Sequence, residues 1–382
     1  MSSSQDFLRR MPEASQDLRR RTSLWLRLHV DPPLLLFLAL LTALGLVVLY
    51  SASQETLVFF KQQVQFFVLG YAVLFVTAQL NLHFIRRWAF WLYGGSAILL
   101  VLVLFVGVTI KGAQRWLDLG VTLFQPSDLM KLALPIAVSA YLANRHLPPK
   151  FKHVFFTLIL VAVPAGLISR QPDLATSALV AVPGLAALFL AGLRWRYIVT
   201  VVGAGLASIW PLWQFGMHDY QKDRVLTLLN PDVDKLGTGW NSFQAKTAIG
   251  SGGLEGKGWL QGTQSHLDFL PESHTDFAVA VLAEEFGLYG VLVLLTLYLL
   301  IIGRGFMIAF NAQDTFGRLL AGSITLTFFV YVFVNMGMVS GLLPITGVPL
   351  PLVSKGGTAL LTMMMGFGLL MAIATEQKRV TL

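Results

Sequence analysis

The stretch "GTQSHLDFLPESHTDFAVAVLAEEFG" (Gly262–Gly287) opens with acids and two histidines and passes into an apolar run without a spacer. Two adjacent acids, Glu284 and Glu285, then lie inside that run. If the run crosses a membrane, carboxylates stand both at its mouth and within it. Ionisable groups there cost on the order of 2.5–3.5 kcal/mol each and usually line a cavity or pathway.

The rest of the chain makes the run a membrane span. Hydrophobic residues form 55% of the 382, and only 13% are charged, against about 25% charged in a soluble domain. Apolar stretches near the ~20 residues that cross a bilayer recur along its whole length. The expected fold is an all-α polytopic membrane protein of ten transmembrane helices. They fall at 33–51, 62–80, 88–108, 128–145, 154–168, 175–193, 197–215, 277–303, 318–340 and 357–375. No internal repeat is evident. With no cysteine, disulfides, thiolate metal sites and thiol nucleophiles are excluded.

Three parts follow: a basic segment at 1–32, a membrane domain at 33–375 and a short tail at 376–382. Some thirty polar residues precede the first apolar run, too many for a cleavable signal peptide. The segment "RRRTSLWLRLHV" (Arg19–Val30) reads either as an amphipathic helix on the membrane surface or as a disordered basic tail. The net charge of +8 speaks to topology rather than nucleic acid. With the N-terminus in the cytoplasm, 17 Lys and Arg fall inside and 10 outside. Five of those ten sit in the long loop at 216–276, which weighs little in such a count. Both termini are therefore expected in the cytoplasm, and the chemistry outside. The long loop, between the seventh and eighth helices, carries Trp240, Phe243, Trp259 and Phe269, so parts of it should pack on the membrane domain.

The outer loops hold the groups able to do chemistry. "KGAQRWLDLG" (Lys111–Gly120) offers Lys111 and Arg115 beside Trp116. In "QPSDLMK" (Gln125–Lys131), Asp128 and Lys131 are three apart and share a helix face. They suit an ion pair that hides two charges from lipid, and equally the wall of a cavity. Arg170 and Asp173 lie at the outer end of the sixth span, where Asp173 suits a helix cap. "AIGSGGLEGKG" (Ala248–Gly258) fails the strict phosphate-loop pattern at Ser251 and Gly258. It reads as a flexible loop or as backbone N–H groups open to an anion.

Asp276 has two readings. It completes a capping-box-like pattern with Ser273 at the start of the eighth span. It also suits a general base at the water–membrane boundary. Ala280 and Glu284 follow at four-residue steps, so Asp276 and Glu284 should line one cavity, with Glu285 facing another helix. His274 is a competing base or a surface group ahead of the helix. No metal signature is present: Asp268, Glu272 and Asp276 are four apart, but Pro271 breaks the helix that would align them.

The runs "GAQRWLDLG", "QPSDLMK", "QPDLATS", "NSFQAKTAIGSGGLEGKGWLQGTQ", "FLPESHTDFAVAVLAEEFG" and "NMGMVSGLLPITGVPLPLVSKGG" occur in order over residues 112–357. Together they resemble the SEDS family (shape, elongation, division and sporulation), with "GMVSGLLPITGVPLPL" nearer its elongation branch than its division branch. The resemblance implies a ten-helix peptidoglycan glycosyltransferase of the bacterial cytoplasmic (inner) membrane. Its implied substrate is lipid II, a disaccharide–pentapeptide on undecaprenyl pyrophosphate, polymerised during cell elongation and rod-shape maintenance.

The Asp of the family's "HTDF" run, here Asp276, is implied to be catalytic. The family's "QPSExxK" places its Glu and Lys on Asp128 and Lys131, the acid being one methylene shorter here. Its "SYGG" reads "SKGG", with Lys355 for Tyr. Polymerisation requires a base for the acceptor hydroxyl and cations for the departing pyrophosphate. Lys131 and Arg115 lead as cations, followed by Lys111 and Arg224, with Asp128, Glu284 and His274 around the substrate. No cofactor is required, though a divalent cation (Mg or Mn) could share the pyrophosphate work. The implied partner is a class B penicillin-binding protein, a transpeptidase. A lipid tail predicts a lipid-facing groove between helices. A lipid II flippase and a non-catalytic scaffold are the competing functions.

Overall fold

The computed structural model describes residues 25, 28–53, 57–110, 113–118, 120, 123–171, 173–217, 222, 226, 238–266, 274–344 and 346–376. Most of the basic N-terminal segment, much of the long loop and the tail beyond 376 lie outside the described residues, as do Lys111, Arg224, Asp268, Glu272 and Ser273.

Each expected span coincides with a helix. These are α1 (Pro32–Ala52), α2 (Leu57–Ala78), α3 (Leu82–Val106), α4 (Pro126–Ala143), α5 (Phe151–Ser169), α6 (Leu174–Leu190) and α7 (Trp195–Pro211). Two short helices of the long loop follow, α8 (Thr238–Gly252) and α9 (Thr263–His266). The last three are α10 (Ala278–Asn311), α11 (Thr315–Ser340) and α12 (Thr358–Thr375). Seven of them, α1, α2, α3, α5, α10, α11 and α12, are long and apolar enough to cross a membrane. Their outer faces expose Trp91, Phe105 and Phe310, which suits a surface solvated by lipid rather than water.

Local chemistry sets the helix starts. Asp31 caps α1 by accepting from the Leu34 amide at 3.3 Å, and Pro occupies the first turn, where no amide partner is lost. Asn81 caps α3 through the His83 amide at 2.9 Å. Gly341 ends α11 in the left-handed region (φ +77). The expectation of a purely helical chain needs one amendment. The loop after α3 forms a small antiparallel sheet, β1 (Val108–Ile110), β2 (Ala113–Asp118) and β3 (Leu123–Phe124), with Thr109 opposite Gln114 and Leu117 opposite Phe124. Pairing satisfies backbone groups that a bare loop would leave open at the membrane edge.

One core joins α1, α2, α10, α11 and α12, and a second joins α4, α5 and α6. α4 is buried along nearly its whole length, so its weaker apolar character is tolerated: protein, not lipid, surrounds it. By contrast, almost every described residue of α7 is exposed.

α10 is not the simple span the sequence suggested. It breaks at Gly287 (φ +62, ψ −158), and the glycine-rich loop after α8 fills the break. Lys257 and Gly258 donate their amides to the carbonyls of Glu284 and Glu285, both at 3.0 Å. The Leu288 amide returns a bond to the Gly253 carbonyl at 3.0 Å. A Cβ on Gly256 (φ +83) would lie 2.1 Å from the Glu285 carbonyl oxygen, so only glycine permits this approach. The segment is thus neither a flexible loop nor an anion cradle. Its amides already serve the interrupted helix.

Candidate active site

Asp276 lies in the half-buried turn just ahead of α10, whose N-cap is Phe277. The capping-box expectation is corrected at Asp276, which precedes the cap instead of closing it; Phe277 makes no side-chain cap bond, and Ser273 lies outside the described residues. The turn is held by Asn335 of α11, which is fully buried. Its Nδ2 donates to the Asp276 carbonyl at 3.0 Å and to the Val348 carbonyl at 2.7 Å. One amide thereby ties the turn to the loop between α11 and α12. Gly347 of that loop (φ +69) would present a Cβ 3.7 Å from Asp276 Oδ2, so its bare backbone lies beside the carboxylate.

Tyr331 sits one helical turn from Asn335 on the same face of α11. Its ring lies beneath Lys131, with Nζ 5.2 Å from the centroid. Lys131 pairs with Asp128 at 2.7 Å, as the three-residue spacing implied. The second oxygen of Asp128 accepts from Thr358 of α12 at 2.5 Å. Asp128 is only 2% exposed, so this carboxylate is charge-paired and hydrogen-bonded as burial demands. Arg115, on β2, pairs with Asp173 at 2.9 Å, and Asp173 also caps α6 through the Thr176 amide at 3.0 Å.

Beside Lys131, an apolar groove opens between α4, α11 and α12. Phe328, Thr362, Met363, Gly366 and Phe367 line it. Among the described residues, no three His, Asp or Glu side chains gather as a metal site.

Glu284 departs from expectation. It does not share a helical face with Asp276, because the chain is not yet helical between Asp276 and the cap at Phe277. Its Oε1 instead accepts from Lys257 Nζ at 2.7 Å, Thr263 Oγ1 at 3.1 Å and the Gln264 amide at 2.9 Å. Glu285 turns the other way and accepts from Ser51 of α1. Both acids inside the apolar run are therefore anchors, one for the loop and one for a neighbouring helix. Glu284→Gln should loosen the loop: amide exchange over residues 253–266 is expected to rise about tenfold, because a charge-assisted bond is worth about 1.5–3 kcal/mol. Unchanged exchange there would contradict the anchoring role.

His274 stacks on Phe59 of α2, ring centroids 5.3 Å apart, and its carbonyl accepts from the Lys355 amide at 2.9 Å. Lys355 Nζ stands 3.5 Å from the centroid of the same Phe59 ring. The departure at Lys355 thus has a partner, a cation on an aromatic face. Sequence reasoning missed Asn335, Tyr331, Thr358 and Phe59. Asn335 opens the "NMGMVSG" run, and a polar side chain in a membrane helix was the available signal.

A family model described as "Cell cycle protein", covering FtsW, RodA and SpoVE, matches residues 32–379. The peptidoglycan glycosyltransferase MrdB of Escherichia coli K12 is 50% identical over 362 residues, covering 95% of this chain and 98% of MrdB. Among solved structures, a chain from work on coordinated polymerization and crosslinking by a peptidoglycan synthase complex superposes with a TM-score of 0.79 at 33% identity. That match covers 90% of this chain and 97% of the other. The rod shape determining protein RodA of Thermus thermophilus gives 0.68 at 30% identity, covering 90% and 96%.

Proposed function

The chain belongs to the FtsW/RodA/SpoVE family of cell cycle proteins, and from that premise we propose how it performs its reaction. It is a peptidoglycan glycosyltransferase. Lipid II serves as donor and acceptor, and Asp276 is the general base. The observation that carries the reading is the single face of α11, whose Asn335 holds the Asp276 turn and whose Tyr331 underlies Lys131.

The 4-hydroxyl of the acceptor attacks C1 of the lipid-linked glycan. A C–O bond forms as the bond to the pyrophosphate breaks, and the hydroxyl proton passes to Asp276. Such proton transfer contributes roughly 10²–10⁴-fold. Lys131 stabilises the charge developing on the leaving pyrophosphate. Asp128 keeps Lys131 at the head of the groove, which takes part of a polyprenyl chain. Arg115, held on Asp173, contributes positive potential from the β2 side, with Lys111 and Arg224 as further cations. His274 supports the turn through Phe59 rather than acting as a second base.

Ten helices span the membrane, including the buried α4 and the short α6 and α7. Both termini, the basic 1–32 segment and the 376–382 tail face the cytoplasm, and Asp276 faces outside. The partner is a class B penicillin-binding protein that crosslinks the product.

The deciding experiment uses the purified full chain in detergent with lipid II, with and without the transpeptidase partner and a chelator. An enzyme forms glycan polymer with no membrane to cross. A flippase moves lipid only in sealed vesicles, and a scaffold forms nothing. Absence of polymer under every condition would overturn the reading.

A further inference from the structure

Residues 129–218 contain a single acid, Asp173, but seven Lys and Arg. Asp173 lies at the start of α6. Five of the cations, Arg145, Lys150, Lys152, Arg194 and Arg196, lie in or beside the α4–α5 and α6–α7 loops, and all are exposed. These loops touch: a Cβ on Gly192 would meet Pro148 Cβ at 3.7 Å, and the rings of Phe151 and Tyr197 lie 6.0 Å apart. The cations therefore form one patch.

Its neighbours at the same end of the bundle behave differently. Arg86 pairs with Asp314 at 3.2 Å, and Arg304 pairs with Asp31 at 2.6 Å. Among the described residues, none of the five patch cations has a carboxylate partner. Exposed aromatic side chains flank them, as membrane-interface residues do. Trp195 is 76% exposed and Phe151 62%. Aromatic rings at a membrane interface are anchors, and basic pockets between membrane helices take anionic headgroups.

We propose that this corner binds the phosphate headgroups of anionic phospholipids, bridging the two loops and holding the base of α7. That helix has almost no protein cover, so headgroups across Lys150, Arg194 and Arg196 supply a contact the chain itself does not. A cation set meant only to orient the spans would need no such convergence across two loops with aromatic flanks. The site stands apart from Asp276 and does not rest on the glycosyltransferase reading.

Native mass spectrometry of the full chain, released from detergent with added cardiolipin or phosphatidylcholine, tests the proposal. The wild-type chain should retain cardiolipin at least about tenfold more strongly, since each basic group near an anionic surface contributes about a factor of five. The variant Arg145→Gln/Lys150→Gln/Arg194→Gln/Arg196→Gln should lose that preference. The control Lys222→Gln/Lys246→Gln should keep it. Equal retention of both lipids by the wild-type chain would overturn the proposal. So would an undiminished preference in the fourfold variant, or a preference lost equally in the control. A patch that ignored both lipids and bound an acidic protein instead would also refute it.

Discussion

Asp276→Asn should reduce glycan polymerisation by at least about 10²-fold while leaving the fold intact. Asparagine matches aspartate in shape but cannot accept the hydroxyl proton at neutral pH. The bond that places the turn runs from Asn335 to the main-chain carbonyl at 3.0 Å, so the substitution does not remove it. Gly347 leaves room beside the side chain, and an amide of the same size fits there. The check is polymer length and rate from lipid II in detergent, beside thermal unfolding of the same preparation. Unfolding should shift by about 1 kcal/mol or less, the typical effect of a single substitution. A variant that unfolds normally yet polymerises within about tenfold of the wild-type rate would exclude the base role.

The second large effect is at Lys131. Lys131→Met leaves Asp128, 2% exposed, without its charge partner. Removing one member of a buried pair costs about 3–5 kcal/mol, because a charge is stranded away from water. The single variant should therefore lose both stability and polymerisation, which by itself separates nothing. Asp128→Asn/Lys131→Met removes both charges and retains an acceptor for the Thr358 hydroxyl, which lies at 2.5 Å. Replacing a whole buried pair is often neutral, so the double variant should regain most of the stability. Polymerisation should stay suppressed, because no cation then heads the groove. Recovery of both properties together would reduce Lys131 to a helix-packing ion pair.

These variants meet on α11 because tertiary structure brought together groups that sequence spacing could not join. Residues 276 and 335 are 59 apart, and residues 128 and 358 are 230 apart. The Asp128–Lys131 pair was legible because three residues is a helical neighbour distance. The same rule misled at Glu284. It assumed one continuous helix from Asp276, whereas the helix begins at Ala278 and breaks at Gly287. Two glycines in Gly-Gly or Gly-x-Gly spacing read as flexibility in sequence, yet here they permit backbone contact closer than any side chain allows.

The sequence by itself determined that the chain is a bundle of apolar helices, roughly where they lie, and which family it joins. Those features are local: hydropathy, caps and short motifs act within a few residues of themselves. Only the tertiary structure decided which acids are anchors and which groups they hold. A buried carboxylate's role depends on the donors that reach it, and those donors come from α1, from the loop after α8 and from α12. Burial and partner geometry arise when distant helices pack, so no spacing along one strand of chain could have reported them.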